Sequence, residues 1–301
     1  MSKHLRIWLF VLLGTLLTSS SLLAQGVITM TSSKAVGEEI GLDIKANGNF
    51  SIEGAQDTGE TDDYGRKSYR LTSQTITIRG DVTELDCSFN QLTSLDVSKN
   101  TALTYLECSY SGLTSLDVSK NTALTELSCS GNQLTSLDVS KNTALTMLSC
   151  SNNQLTSLNV SKNTALTQLY CYNNQLTSLD VSKSTALTQL VCYNNQLTSL
   201  DVSKSTALET LDCDYNKLTN LNISGCISLR VLYCSNNYIN GKAMTKLVNS
   251  LPNRRKKSSG LIFLVDRSSK KRDKNRCSAA DVTTAKRKNW EVLKNKRIMA
   301  G

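Results

Sequence analysis

Histidine is almost missing from this chain of 301 residues, which has one, His4, against ten cysteines. His4 falls within residues 1–24, which read as an export signal, so the exported chain would hold none. Without histidine there is no Ser-His-Asp or Cys-His nucleophile system and no histidine metal ligand. Neither a G-x-x-x-x-G-K-[ST] loop nor a G-x-G-x-x-G turn occurs. Surface carboxylate pairs are what remains for an enzyme, and no catalytic residue, cofactor or metal is expected. Long apolar runs are scarce as well. Ile7 to Leu17 is one, preceded by Lys3 and Arg6 and followed by a small-residue stretch up to Ala24. That is the form of a cleaved secretory signal, too short for a comfortable membrane span. No second span follows, and no cysteine follows the run to carry a lipid. The expectation is a protein with no transmembrane segment after cleavage that is secreted, periplasmic or held at the cell surface.

What the chain has in abundance is repetition. Cys87, Cys108, Cys129, Cys150, Cys171, Cys192, Cys213 and Cys234 are each 21 residues apart. They mark eight units, numbered here as coils one to eight. Each unit is itself double. Leu145-x-x-Leu148-x-Cys150-x-x-Asn153 is followed by Leu155-x-x-Leu158-x-Val160-x-x-Asn163. A period of 20–29 residues with L-x-x-L-x-[L/C]-x-x-N marks a leucine-rich solenoid. Alternation of Leu148 with Cys150, and of Leu158 with Val160, predicts two short strands per coil with one buried face. About six apolar side chains per coil point inward. One coil cannot repay the entropy of ordering itself, but a stack of coils shares one core.

Here the sequence resembles the nested bacterial class of leucine-rich repeats known as IRREKO. Its consensus alternates L-x-x-L-x-[L/C]-x-x-N-x with L-x-x-L-D-L-x-x-N-x-x. The resemblance implies a right-handed parallel β solenoid. The flanks Ile28 to Gly37, Met244 to Pro252 and Ala285 to Trp290 resemble those of exported repeat proteins from the Bacteroidetes group. Likeness to repeat proteins of the internalin kind implies adhesion to host or neighbouring cells.

Eight cysteines at inward strand positions would lie side by side at about the rung spacing. That is longer than the Cβ separation of a disulfide. They read as a buried ladder of free thiols, with a metal-thiolate column as the alternative. Cys226 and Cys277 lie off the ladder and could bond to each other. Asparagines end the half-units and suit the corners, where a short amide can bond neighbouring backbone. Ser111 departs from this at the first corner; Ser184, Ser205 and Cys226 depart at the second. Asp96, Asp117, Asp138, Asp180 and Asp201 form a column, as do Lys99, Lys120, Lys141, Lys162, Lys183 and Lys204. Screening and turn hydrogen bonds are one account of these columns, and a calcium column is the other.

Variation within the repeats points to a binding face. The second half-unit, Thr-Ser-Leu-Asp-Val-Ser-Lys-Asn-Thr-Ala, barely changes. The first half varies at its outward positions, which carry Tyr105, Glu107, Tyr110, Gln168, Tyr170, Tyr172, Gln189, Tyr193, Asp212, Asp214, Tyr215 and Tyr233. Tyrosine gives large amphipathic contact at low entropy cost. A partner-binding ridge over coils five to eight is expected, with a solvated sheet as the plain alternative.

The division expected is a signal at 1–24, a β cap at 25–81, eight repeats at 82–240 and a basic α/β cap at 241–301. In the first cap, Ile40 to Ile44 and Phe50 to Ile52 flank Asn47-Gly48 as a hairpin, and Ile76-x-Ile78 forms a first half-coil. In the second, a helix follows Asn240 and is closed by Pro252, the only proline. Leu261 to Val265 is a buried strand, Ser278 caps a second helix, and Trp290-x-Val292 ends the fold. Residues 253–301 hold 16 Lys or Arg against 4 Asp or Glu, whereas residues 25–252 carry a net −5. Arg254, Arg255, Lys256, Lys257, Lys270, Lys271 and Arg272 could take an anionic polymer by electrostatics.

The function expected is an exported, monomeric, non-catalytic binding protein for a protein or glycan. Polyanion binding by the basic cap, catalysis by surface carboxylates and a structural spacer are the rival readings.

Overall fold

A computed structural model describes residues 26–266 and 273–293. The signal segment, and Lys270, Lys271 and Arg272 of the basic loop, lie outside them. The repeats stack as expected, in parallel and shifted by one unit. Leu148 pairs with Leu169, and Leu169 with Leu190. Strands β7 (Val82–Asp86), β9 (Tyr105–Glu107), β10 (Glu126–Ser128), β11 (Met147–Ser149) and β12 (Gln168–Tyr170) run in that order. They continue into β13 (Gln189–Val191), β15 (Thr210–Asp212) and β17 (Val231–Tyr233). Six side chains per coil point inward: in coil five these are Leu166, Leu169, Cys171, Leu176, Leu179 and Val181, all buried.

The second half-unit is extended but more sparsely bonded. Among the described residues its parallel ladder is regular between β14 (Ser199–Asp201) and β16 (Asn220–Asn222). Elsewhere single bonds such as Gln154 N to Leu134 O and Gln175 N to Leu155 O link the coils.

The corners explain where asparagine is demanded. At the first corner both ends of the amide are used. Asn174 Nδ2 donates to Cys150 O at 3.0 Å and Cys171 O at 3.2 Å, and its Oδ1 accepts from Leu155 N at 3.0 Å. Asn153, Asn195, Asn216 and Asn237 repeat the pattern. At the second corner only the amino end works. Asn163 Nδ2 donates to Val139 O and Asn142 O, while the buried Oδ1 atoms of Asn121, Asn142 and Asn163 meet no donor among the described residues. A lone donor suffices there. Cys226 Sγ accordingly donates to Val202 O at 3.2 Å, and Ser184 Oγ to Asn163 O at 3.4 Å. Ser111 departs at the first corner of coil two, where its Oγ donates to Cys87 O at 3.3 Å; in the preceding coil β1 (Val27–Ser32) pairs with β8 (Leu92–Asp96) and sets Ser32 opposite Leu92.

The thiols stand as a buried ladder. All ten cysteines are free, including Cys226 and Cys277. Burial pushes the Cys150 thiol up to about 12 and raises the others of the ladder likewise. The aspartate column is held by its own turns. Asp117, Asp138 and Asp180 each accept the backbone N–H of the serine two residues on, at 2.8 Å, and that bond keeps each carboxyl below its usual range. Asn159 does the same at 3.0 Å, so charge is not needed for the turn.

The amino-terminal strands depart from expectation in two ways. No hairpin joins Ile40–Ile44 to Phe50–Ile52. β2 (Glu39–Ala46) pairs with β5 (Lys67–Leu71) and β7, whereas β3 (Ser51–Glu53) pairs with β6 (Thr75–Arg79) in another sheet. The turn at Asn47 bonds to Asp81 O instead of folding the chain back, so it carries the chain between sheets. Nor is Ile76-x-Ile78 a parallel half-coil. β1 lies between β6 and β8, antiparallel to both, and its Ile28 and Met30 fill the same core as Ile76 and Ile78. β4 (Ala55–Thr61) edges the long sheet.

At the other end, helix α1 (Gly241–Ser250) buries Met244, Leu247 and Val248. Asn240 is its N-cap, but its side chain donates to Tyr238 O instead of accepting from the helix. β18 (Gly260–Phe263) adds in parallel to β17, and β19 (Trp290–Val292) to β18. Between them, α2 (Ala279–Arg287) starts with a capping box of Ser278 and Asp281. Asn275, outside the 21-residue period, completes the corner ladder. Its Nδ2 donates to Cys234 O and Leu264 O, and its Oδ1 accepts from Ile239 N at 2.7 Å.

Candidate binding face

Outward positions of the parallel strands line one face, because every strand residue between two inward ones must point away from the core. In coils five and six this face is aromatic and amide-rich. The Tyr170 hydroxyl lies 3.0 Å from Gln168 Oε1 and 2.8 Å from Gln189 Oε1. One residue beyond the cysteine, Tyr172 and Tyr193 stack with ring centres 4.6 Å apart. Both pairs span neighbouring coils and are half-buried, so their edges meet solvent.

In coil two, Tyr105 and Glu107 are half-buried on the same face. Burial, then the carboxylates of Glu107, Asp86, Glu126 and Glu84, pushes the Tyr105 phenol up to about 12. Burial likewise raises Glu107, although its Oε1 accepts from Ser109 N at 2.9 Å.

Three of the residues expected on the ridge do not reach it. Asp212, Asp214 and Tyr233 are buried. Tyr233 packs edge-on against Phe263 with ring centres 6.4 Å apart, in a cluster with Leu293. Asp214 accepts from Ser235 N at 2.7 Å and Ser235 Oγ at 3.1 Å. The cap strand beside β17 brings Phe263 against Tyr233, whereas Asp214 is covered by Ser235 of the next coil. Tyr215 remains exposed, beside Tyr238 and Lys217 in a groove of about 350 Å³.

The basic cluster also changes. Arg254 is buried, donating to Leu229 O and Ser258 O at 3.0 Å, so it holds the cap and cannot take a polyanion. Arg255, Lys256 and Lys257 are exposed. Among the described residues, no three His, Cys, Asp or Glu side chains gather as a metal site. No helix among them is long and apolar enough to cross a membrane.

A second column entered the sequence reading only through Tyr110 and Tyr215. Two residues after each cysteine the backbone is left-handed, with φ of 51–66° from Phe89 to Asn236. Glycine or asparagine suits that conformation, and five coils use them: Gly131, Asn152, Asn173, Asn194 and Asn236. Bulky residues there cost about 1–2 kcal/mol each. Coils one, two and seven nevertheless carry Phe89, Tyr110 and Tyr215, all exposed, and Phe89 and Tyr110 stack with centres 4.9 Å apart. Tyr64 of the cap stacks on Phe89 at 4.8 Å. Stacking is worth about 0.5–1.5 kcal/mol per pair, so it roughly offsets the backbone cost and leaves no surplus. Lining up the residues two places after each cysteine would have shown the exception.

Comparison with known proteins places the fold. A family model described as Leucine Rich repeats (2 copies) matches residues 122–163 and again 164–205. The chain folds as a leucine-rich repeat solenoid. An internalin, inlF, from Listeria monocytogenes is similar at 21% identity and a TM-score of 0.52, over 65% of this chain and 55% of that one. The leucine-rich repeat domain of APL1B is similar at 20% identity and a TM-score of 0.51, over 67% and 61%. The functional domain of InlJ from Listeria monocytogenes, which includes a cysteine ladder, is 30% identical with a TM-score of 0.38, over 65% and 52%. This chain thus spans about half to three fifths of the length of these structures. No curated protein matches it.

Proposed function

We propose that this is an exported, non-catalytic binding protein that engages a protein or glycan through the variable strand face of its solenoid, in cell-surface interaction or adhesion. One observation carries the reading. Within the same repeats, outward positions of the first half-unit diverge while the second half-unit, which is the more exposed, stays almost constant. Simple duplication would leave both halves alike. A stacked solenoid offers such a face as one extended surface. The accessible residues are Gln168, Tyr170, Tyr172, Gln189 and Tyr193, with Tyr105, Glu107, Tyr110 and Tyr215 towards the two ends. The nested 21-residue unit supports the IRREKO class and the exported Bacteroidetes proteins as kin. The span of the repeats supports the boundaries at residues 81 and 240, and the export signal ending at residue 24 stays part of the proposal.

The test compares the wild type with a Tyr170→Ser, Tyr172→Ser, Tyr193→Ser variant. Both are checked by circular dichroism, then assayed on bacterial and host cells and on matrix proteins at low and high salt. A folded variant that has lost salt-resistant binding is the expected result. Equal binding by both, abolished by salt, would move the activity to Arg255, Lys256 and Lys257.

A further inference from the structure

The exposed aromatic stack at the first coils has no use in the core. Tyr64, Phe89 and Tyr110 are 65%, 42% and 49% exposed, and Phe89 and Tyr110 stand where coils four to six use asparagine. Those asparagines form an amide ladder, with Asn173 Nδ2 donating to Asn152 Oδ1 at 2.6 Å and Asn194 Nδ2 to Asn173 Oδ1 at 2.8 Å. Phe89 and Tyr110 forgo that ladder and adopt an unfavourable backbone while leaving apolar surface in water. A side chain kept against local preference and without burial points to a contact made outside the chain.

Ring geometry narrows the partner. Phe89 has a ring on each face, both within 9° of parallel. Tyr110 turns its other face to Gly131, where an added Cβ would come within 2.3 Å of the ring. What Phe89 and Tyr110 show to solvent is therefore edge, and neither offers the open face on which a sugar stacks. Beside the ridge runs a groove of about 420 Å³ that shares Tyr64, Phe89 and Tyr110 and has Asp86, Tyr105 and Glu107 along it. Arg66 pairs with Asp86 at 3.2 Å, and Lys45 pairs with Glu84. Glu107 and Glu126 enter no salt bridge among the described residues. Lysine and arginine stems lie along apolar surface while their heads seek opposite charge.

We propose that the Tyr64–Phe89–Tyr110 ridge and its groove dock a basic segment of a protein partner, with Lys or Arg stems on the ring edges and their heads at Glu107 and Glu126. This rests on the reading that the strand side is the recognition side, and it places a second contact several coils from Tyr170 and Tyr193. Residues 25–252 carry a net −5, so a polycation is drawn to this part of the chain in general, and it is the loss on changing the ridge that marks a local site.

The probe is fluorescein-labelled octalysine, followed by anisotropy against the full chain at about 50 and 200 mM salt. The wild type should bind it and ignore labelled octaglutamate. A Phe89→Asn, Tyr110→Asn variant installs the residue that other coils use at this column. Its melting temperature should be equal or higher, and its affinity at least tenfold weaker. Glu107→Gln should weaken binding severalfold and flatten its salt dependence. It decides the matter if the double variant fails to fold. Tyr172 lies at the far end of the groove, so the control is a Tyr170→Ser, Tyr193→Ser variant that keeps it; this variant should bind octalysine normally, which separates the site from the ridge of coils five and six. Absence of binding by the wild type would overturn the proposal. So would equal binding by the folded double variant, or by Glu107→Gln, or tighter binding of octaglutamate.

Discussion

Replacing Asn174 with alanine should be among the most damaging single changes on the surface-facing side of the core, although it removes no apolar area. The amide serves four backbone groups in two coils: Cys150 O, Cys171 O, Tyr172 O and Leu155 N. Alanine leaves Leu155 N–H buried and unpaired, whereas Cys150 O keeps Asn153 Nδ2 at 3.1 Å. An orphaned buried group costs about 1–3 kcal/mol, so with the other bonds lost about 2–3 kcal/mol is expected in all. Asn163→Ser is the control. Its amide works only as a donor, and serine already fills that corner at Ser184 and Ser205, so about 1 kcal/mol is expected. Urea unfolding followed by circular dichroism gives both values. Hydrogen exchange at the Leu155 amide gives a local reading that does not assume two-state unfolding. If Asn174→Ala costs no more than Asn163→Ser, or leaves Leu155 protected, the corner ladder is not what ties the coils together.

Raised thiol pKa values make stability depend on alkaline pH. The unfolded thiols lose protons near pH 9, whereas Cys150 in the fold holds its proton to about 12. Stability should be full below pH 9 and fall as pH rises above it, and Cys150→Ala should reduce the slope of the urea midpoint by one thiol's share. The ladder thiols should also resist a disulfide reagent at pH 8 until the chain is unfolded. Asp117→Asn should change stability by less than about 0.5 kcal/mol in thermal melts, because Asn159 already makes the same turn bond. Asn275→Ala should loosen the carboxy-terminal end, seen as faster exchange at Ile239 N–H with no change around Leu155.

The stacking of the repeats was legible because every coil repeats the same inward positions, so one sequence period fixes one structural rung. Leu169 and Cys171 had to be buried wherever the pattern held, and β18 and α1 followed from ordinary apolar periodicity. The caps were legible only as elements. The placement of β1 between β6 and β8 depends on which core Ile28 and Met30 enter, and strand propensity carries no information about pairing partners. The same limit applied to the site. Outwardness of Tyr170, Tyr172 and Gln189 follows from alternation alone.

Burial of Tyr233 does not follow from alternation, because it comes from a cap strand some thirty residues on whose docking lies outside the repeat. Arg254 reads as one more charge in a basic run until its guanidinium is seen bonded to Leu229 O. Tyr64 and Phe89 are far apart in the chain and meet only because the cap folds against coil one. Local pattern, then, determined the solenoid and which side of it varies. Contacts between segments without a shared period decided where that side stays open, since such contacts depend on packing and not on any interval the chain repeats.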